Sequence, residues 1–254
     1  MMNKIWLIGA SEGIGRAVAQ ELGKNADNFL ILSARKPERL ESLSSEIEAR
    51  SMVCPVDVSD GDSVKKGWKE ICNKLETIDT VIYCAGYYKP MTVENINVDE
   101  IERMIDVNLV GAVRMLGHVI PEFISKKNGH IVLISSIAGY RGLPNDTGYG
   151  SSKAGLIHLA ENLNCDLSSY GIKVQLISPG FVKTRLTDLN NFKMPSLIST
   201  EKAAIYIKKA IESKSFEVRF PFLFASSLKM ISLLPYSVYF WLIKKIKRLS
   251  NDAV

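Results

Sequence analysis

The chain has 254 residues, 46% of them hydrophobic, and a formal net charge of +5. This length suits one large domain, and no repeat, low-complexity tract or Pro/Gly linker divides it. The modest charge, without a basic cluster interleaved with aromatics, argues against nucleic acid as a partner. The 4 cysteines and 3 histidines are scattered without metal-ligand spacing, so the thiols are expected to be reduced and no metal site is expected.

Met1-Met-Asn-Lys4 runs directly into an apolar segment, without the charged and long apolar regions of a secretory signal, which predicts a cytoplasmic protein. Residues 4–8 read as a short buried strand leading into Gly9-Ala-Ser-Glu-Gly13-Ile-Gly15 and a helix over 13–24. Strand, glycine turn and helix start together make a phosphate site. Glycines let the backbone turn sharply against a pyrophosphate, and the free N–H groups of the helix start face the anion. The spacing Gly-x-x-x-Gly-x-Gly meets the general dinucleotide fingerprint only in part. A second strand, 29–34, ends about 20 residues past the last glycine, where an acidic residue would hold the adenosine ribose hydroxyls. Arg35-Lys36 stands there instead. A guanidinium can clasp a 2′-phosphate that a carboxylate would repel, so NADP (NADPH) is expected in preference to NAD. Glu12 in the glycine turn counts against that choice, and a solvated helix start is the plainer reading of Arg35-Lys36.

Further strands are expected at 51–55, 79–83, 130–135, 172–178 and 216–220, with helices at 37–49, 60–75, 97–126, 147–169 and 200–213. Alternating strands and helices predict an α/β fold, a Rossmann-like doubly wound parallel sheet of about seven strands. Strand carboxyl ends would set Gly9, Ala85, Ser136 and Pro179 along one rim. In the helix at 147–169, Tyr149 and Lys153 are four apart and share a face. The ammonium should stabilise a phenolate and bring the phenol towards the working range, with Ser136 bonding the same substrate oxygen. On its own, this pair is an ordinary feature of helical surfaces.

The glycine turn, Asp57-Val58, Ala85-Gly86, Asn108, Ser136, Tyr149-x-x-x-Lys153 and Pro179-Gly-Phe-Val-Lys-Thr184 occur in one order along the chain. In these elements the chain resembles the short-chain dehydrogenase/reductase family in its single-domain form, from Lys4 to about Pro221. The resemblance implies that Tyr149 is the general acid/base, that Lys153 tunes it and holds the nicotinamide ribose, and that Ser136 rather than Ser135 orients substrate. It further implies that Asn108 interrupts a helix and positions a proton-relay water behind Lys153. The cofactor-binding set it implies is Gly9, Ser11, Gly13, Ile14, Gly15, Arg35, Asp57, Val58, Ala85, Gly86, Tyr149, Lys153, Pro179, Gly180, Val182 and Thr184. Asp57 and Val58 would meet the adenine, Val182 and Thr184 the carboxamide. A homodimer or homotetramer packed through 97–126 and 147–169 is implied as well. Two departures stand out: Ile8 replaces the family's threonine and Tyr83-Cys84 its paired asparagines, removing hydrogen bonds that tie central strands to the turns.

The least family-like part is the tail, which divides the chain into a catalytic domain, 1–221, and an extension, 222–254. It is uncharged from Met230 to Ile243 and then reads Lys244-Lys-Ile-Lys-Arg248. As a helix that run would reach about 21 Å, against a hydrocarbon core of about 30 Å, so it is too short to span. It reads as an apolar helical pair on the pocket or a partner subunit, or as a peripheral membrane anchor. Tyr87, Tyr88, Tyr140, Leu143, Leu186, Leu189 and Phe192 suggest an apolar pocket for a hydrophobic ketone or aldehyde. Competing readings are a nucleotide-retaining epimerase, for which the chain is short, and a catalytically idle nucleotide-dependent scaffold.

Overall fold

The computed structural model describes residues 3–192 and 194–251. Met1, Met2, Lys193 and residues 252–254 lie outside them. Seven strands, β1 (Asn3–Ile8), β2 (Asn28–Ser33), β3 (Arg50–Val53), β4 (Thr80–Tyr83), β5 (Gly129–Ile134), β6 (Ile172–Pro179) and β7 (Glu217–Phe220), form one sheet. Their order is β3-β2-β1-β4-β5-β6-β7, and every pairing is parallel. This is the expected Rossmann-like architecture.

Strand side chains alternate between the two faces of the sheet, so β1 feeds both packing layers. Trp6 and Ile8 join a core with Val64, Met115, Phe123 and Leu156, while Ile5 and Leu7 pack with Val18, Leu40 and Ile207. The first layer is built by α3 (Gly61–Leu75), α4 (Val98–Ile105), α5 (Gly111–Lys126) and α6 (Thr147–Leu167). The second is built by α1 (Gly13–Gly23), α2 (Pro37–Glu46) and α7 (Thr200–Glu212). Both faces being covered explains why the central strands are apolar throughout instead of alternating. Burying a side chain such as Phe123 contributes about 1.5–3 kcal/mol of transfer free energy.

Two expected helices differ from the observed ones. The helix expected over 37–49 stops at Glu46, because Ile47 adopts an extended backbone (φ −102°, ψ 146°) and lies against Gly23, where an added Cβ would meet it at 2.7 Å. The stretch read as one helix over 97–126 is broken into α4 and α5 by a π-helical turn at Asp106–Val110, which is the interruption at Asn108 that the family resemblance implies. Two helices follow β7: α8 (Phe222–Ser232) and α9 (Tyr236–Asn251).

β1 and β4 are neighbours in the sheet, and the chain leaves them towards opposite sides. That divergence opens a crevice at the strand carboxyl ends, the place where open α/β sheets take ligands.

Candidate active site

A cleft of about 550 Å³ occupies that crevice. Its floor is the turn between β1 and α1. Gly9 has φ +90°, and a Cβ there would meet the Ala85 backbone nitrogen at 2.6 Å. Gly13 is also left-handed, at φ +57°, and faces the Thr184 side chain. Gly9 admits no side chain and Gly13 only a strained one, so the backbone of the turn is bare to the cleft next to the start of α1.

Ser11, Gly13, Ile14, Gly15, Arg35, Asp57, Val58, Ala85, Gly86, Tyr149, Lys153 and Thr184 all line the cleft with Gly9. Pro179, Gly180 and Val182 do not. Pro179 ends β6, the Gly180 amide is turned to the Phe220 carbonyl (2.7 Å), and the buried Val182 bridges to Ile198.

Arg35 and Lys36 stand at the rim beyond β2, together with Arg39. Glu12 is committed to two guanidinium groups there, Arg39 at 2.6 Å and Arg185 at 2.7 Å. This bridge joins the glycine turn, α2 and the loop after β6 across the cleft mouth. Sequence reading registered only the charge of Glu12 and not its partners, because Arg185 is distant in sequence.

At the other end of the cleft, Asp146 caps α6, with Oδ1 accepting from the Gly150 amide at 3.2 Å. Tyr149 and Lys153 follow on one face. The Lys153 Nζ lies 5.6 Å from the Tyr149 ring centroid and donates to the Ile134 carbonyl at 3.0 Å. Tyr88 packs edge-on against Tyr149, with centroids 5.1 Å apart, and its phenol donates to Asn190 at 2.8 Å. The two serines after β5 divide their work. Ser135 donates to the Lys153 carbonyl at 2.9 Å and anchors α6, whereas the Ser136 hydroxyl accepts from the Ala138 amide at 3.2 Å, capping the turn that follows, and lowers the pKa of the Tyr149 phenol.

Burial, then the Asp146 carboxylate, pushes the Tyr149 phenol well above its ordinary value, with Ser136 acting in the opposite direction. Burial lowers Lys153 to about 8. The lowered phenol pKa expected from the Tyr149–Lys153 spacing is therefore not found. Burial is the largest cause, and the Lys153 ammonium is turned towards the Ile134 carbonyl. Asp146 is raised to about 7, chiefly by burial.

Asn108 sits in the π-helical turn and is buried. Its Oδ1 accepts from the Tyr87 amide at 2.7 Å, and its Nδ2 donates to the Tyr87 carbonyl at 3.0 Å and to Ser152 Oγ at 2.9 Å. Both amide hydrogens are spent, so the side chain clamps the segment after β4 to α6. The ties removed by Tyr83-Cys84 are partly replaced, since the Tyr83 phenol donates to the Val107 carbonyl at 2.5 Å.

The expected apolar pocket is met in part. Tyr87, Tyr88, Leu186 and Leu189 line the cleft. Tyr140 and Leu143 do not: Tyr140 donates to Glu217 at 2.7 Å, and both residues border a small hollow under α8 and α9. Phe192 is half exposed and packs edge-on against Phe181.

Residues 3–194 match the family described as short chain dehydrogenase. An oxidoreductase of Myxococcus xanthus (strain DK1622) without an assigned activity is 34% identical over 91% of this chain and 92% of its own. The 3-oxoacyl-[acyl-carrier-protein] reductase of Staphylococcus epidermidis is 32% identical over 74% of this chain and 78% of its own. A solved structure of ElxO with NADP bound has 25% identity and a TM-score of 0.77, covering 88% of this chain and 99% of that one. The chain belongs to the short-chain dehydrogenase family and is an oxidoreductase of that kind. Its residues fit the nicotinamide dinucleotide of the family, because the glycine cradle that a Cβ would fill opens beside a basic rim and ends at Tyr149 and Lys153.

Proposed function

We propose that the chain is an NADPH-dependent reductase of a hydrophobic ketone or aldehyde. The observation that carries this reading is the placement of Tyr149 and Lys153 in the cleft that begins at the glycine turn, with Ser136, outside the cleft lining, acting on the Tyr149 phenol from beside it. Bound NADPH would supply the hydride that attacks the carbonyl carbon. Tyr149 delivers the proton to the carbonyl oxygen, and Ser136 holds that oxygen by a hydrogen bond. Tyr149 is protonated at neutral pH, the form that donates, and the same groups serve the reverse oxidation. Lys153, one helical turn from Tyr149, and a water held near Asn108 would resupply its proton from solvent. Asn108 acts at one remove, by fixing Tyr87 and α6.

Arg35 and Lys36 would take the 2′-phosphate. Arg35 has no ion-pair partner among the described residues, whereas Arg39 is already paired with Glu12. The aromatic and leucine lining, and a relative that acts on a 3-oxoacyl chain, support a substrate with an alkyl arm. We further propose pairing of two copies through α4, α5 and α6, where Val98 and Val113 are exposed.

The test is depletion of NADPH and of NADH against a carbonyl library. Turnover of aliphatic and aromatic carbonyls with NADPH supports the reading, and turnover confined to small polar sugars overturns the pocket argument.

A further inference from the structure

Half of the exposed large apolar side chains among the described residues lie between Phe222 and Ile246. Leu223 is 84% exposed, Leu233 71% and Trp241 62%. The first two turns of α9, Tyr236-Ser-Val-Tyr-Phe-Trp-Leu-Ile243, are apolar on nearly every side, yet Tyr239 alone is fully buried. A helix apolar all round belongs inside something. An exposed patch of this kind marks a surface that binds.

The hairpin of α8 and α9 is held rigidly on its other side. Arg141 lies over the Tyr236 and Tyr239 rings, at 4.2 and 4.3 Å from their centroids, and donates to the Ser232 carbonyl at 2.6 Å. The Tyr239 phenol donates to the Gly142 carbonyl at 2.9 Å. Its exposed face is therefore presented by the fold and is not a frayed end.

Charge decides what covers it. From Val218 to Asn251 there is no acidic residue, while Lys244, Lys245, Lys247 and Arg248 follow the apolar run. Lys244 and Lys245 are exposed, and Lys245 Nζ sits 5.4 Å from the Trp241 ring centroid. A second copy laid symmetrically on this face would bring another cationic, acid-free segment against it, with no carboxylate to neutralise either. An anionic membrane surface supplies both parts: headgroups for the lysines and an acyl boundary for the apolar face. Aromatic rings beside lysines are the side chains that settle at that boundary. At 16 residues α9 is about 24 Å long with lysines in its second half, so it lies on the surface and does not span.

We infer that the α8–α9 hairpin is an interfacial anchor that seats this enzyme on membranes bearing anionic lipid. The inference stands apart from the catalytic reading. Its test is sedimentation of the full chain with vesicles of phosphatidylcholine, with and without about one third phosphatidylglycerol. Binding to the anionic vesicles alone is expected, weakened by salt and accompanied by a blue shift of tryptophan emission. Lys244→Gln with Lys245→Gln should weaken binding about 25-fold, about fivefold for each lysine. Trp241→Ser should remove the blue shift and weaken binding about tenfold, whereas Lys65→Gln on α3 should change nothing. Failure to sediment with anionic vesicles, or equal binding to neutral ones, overturns the inference. So does an oligomer that Trp241→Ser dissociates while vesicles are ignored, which would give the face to a second copy.

Discussion

Replacing Asp146 by Asn should stabilise the protein, increasingly so as pH rises from about 4 to 7 and fully above that. The Asp146 carboxyl is raised from 3.8 to about 7 by burial, and it receives one long hydrogen bond, 3.2 Å from the Gly150 amide. Because its folded-state pKa lies above the unfolded value, the folded chain holds the extra proton between those two values. Stability from this group is therefore fully present below 3.8, is lost progressively as pH rises towards 7, and is gone above it. A shift of three units corresponds to at most about 4 kcal/mol. The N-terminus of α6 returns about 1–2 kcal/mol to a carboxylate at its cap. The net cost of the charge at pH 8 is thus about 2–3 kcal/mol. Asparagine caps as well as aspartate and stays neutral. Asp146→Asn should raise the unfolding midpoint by about 5–10 °C at pH 8 and leave it unchanged near pH 4. Lys153 titrates alike in both proteins and cancels in the difference. Thermal unfolding across that range is the assay. Equal destabilisation at both pH values would show that the carboxylate serves purely as a cap and would refute the reasoning.

Arg35→Ser should weaken NADPH binding about 10- to 100-fold, the loss of charge-assisted bonds to the 2′-phosphate, and leave NADH binding unchanged. Glu12→Gln frees Arg39 and removes a negative charge beside the same phosphate; titration should show NADPH binding three- to tenfold tighter, with stability altered by less than about 1 kcal/mol because the pairs are exposed. Gly9→Ala drives a Cβ towards the Ala85 amide at a residue with φ +90°. It should cost about 1–3 kcal/mol in urea unfolding and abolish nucleotide binding in the folded fraction.

The sheet was legible because strands covered on both faces must be apolar at every position, as in Ile5-Trp-Leu-Ile8 and Ile131-Val-Leu-Ile134. The Tyr149–Lys153 pairing was legible because helical spacing alone puts the two side chains on one face. Their electrostatics were not. Spacing says nothing of how deeply both groups are enclosed, and burial, not proximity, sets the direction of each shift. The π-helical turn at Asn108 left no periodic trace, since the apolar pattern runs on from Ile105 to Leu116 and the break is held by bonds to Tyr87 and Ser152, remote in sequence. Tyr140 was misplaced for a related reason. It lies close to Ser136 in sequence, but the 3-10 turn at Ile137–Gly139 sends its phenol to Glu217 on β7. The bridge from Glu12 to Arg185 joins residues that only the folded sheet makes neighbours.

The central claim is that a phenol at the end of the nucleotide cleft delivers the proton to a carbonyl oxygen. Single-turnover NADPH oxidation by Tyr149→Phe, measured beside NADPH binding to the same variant, tests it most directly. The account predicts a fall in rate of about 10²- to 10⁴-fold with cofactor affinity retained. An unchanged rate would contradict it.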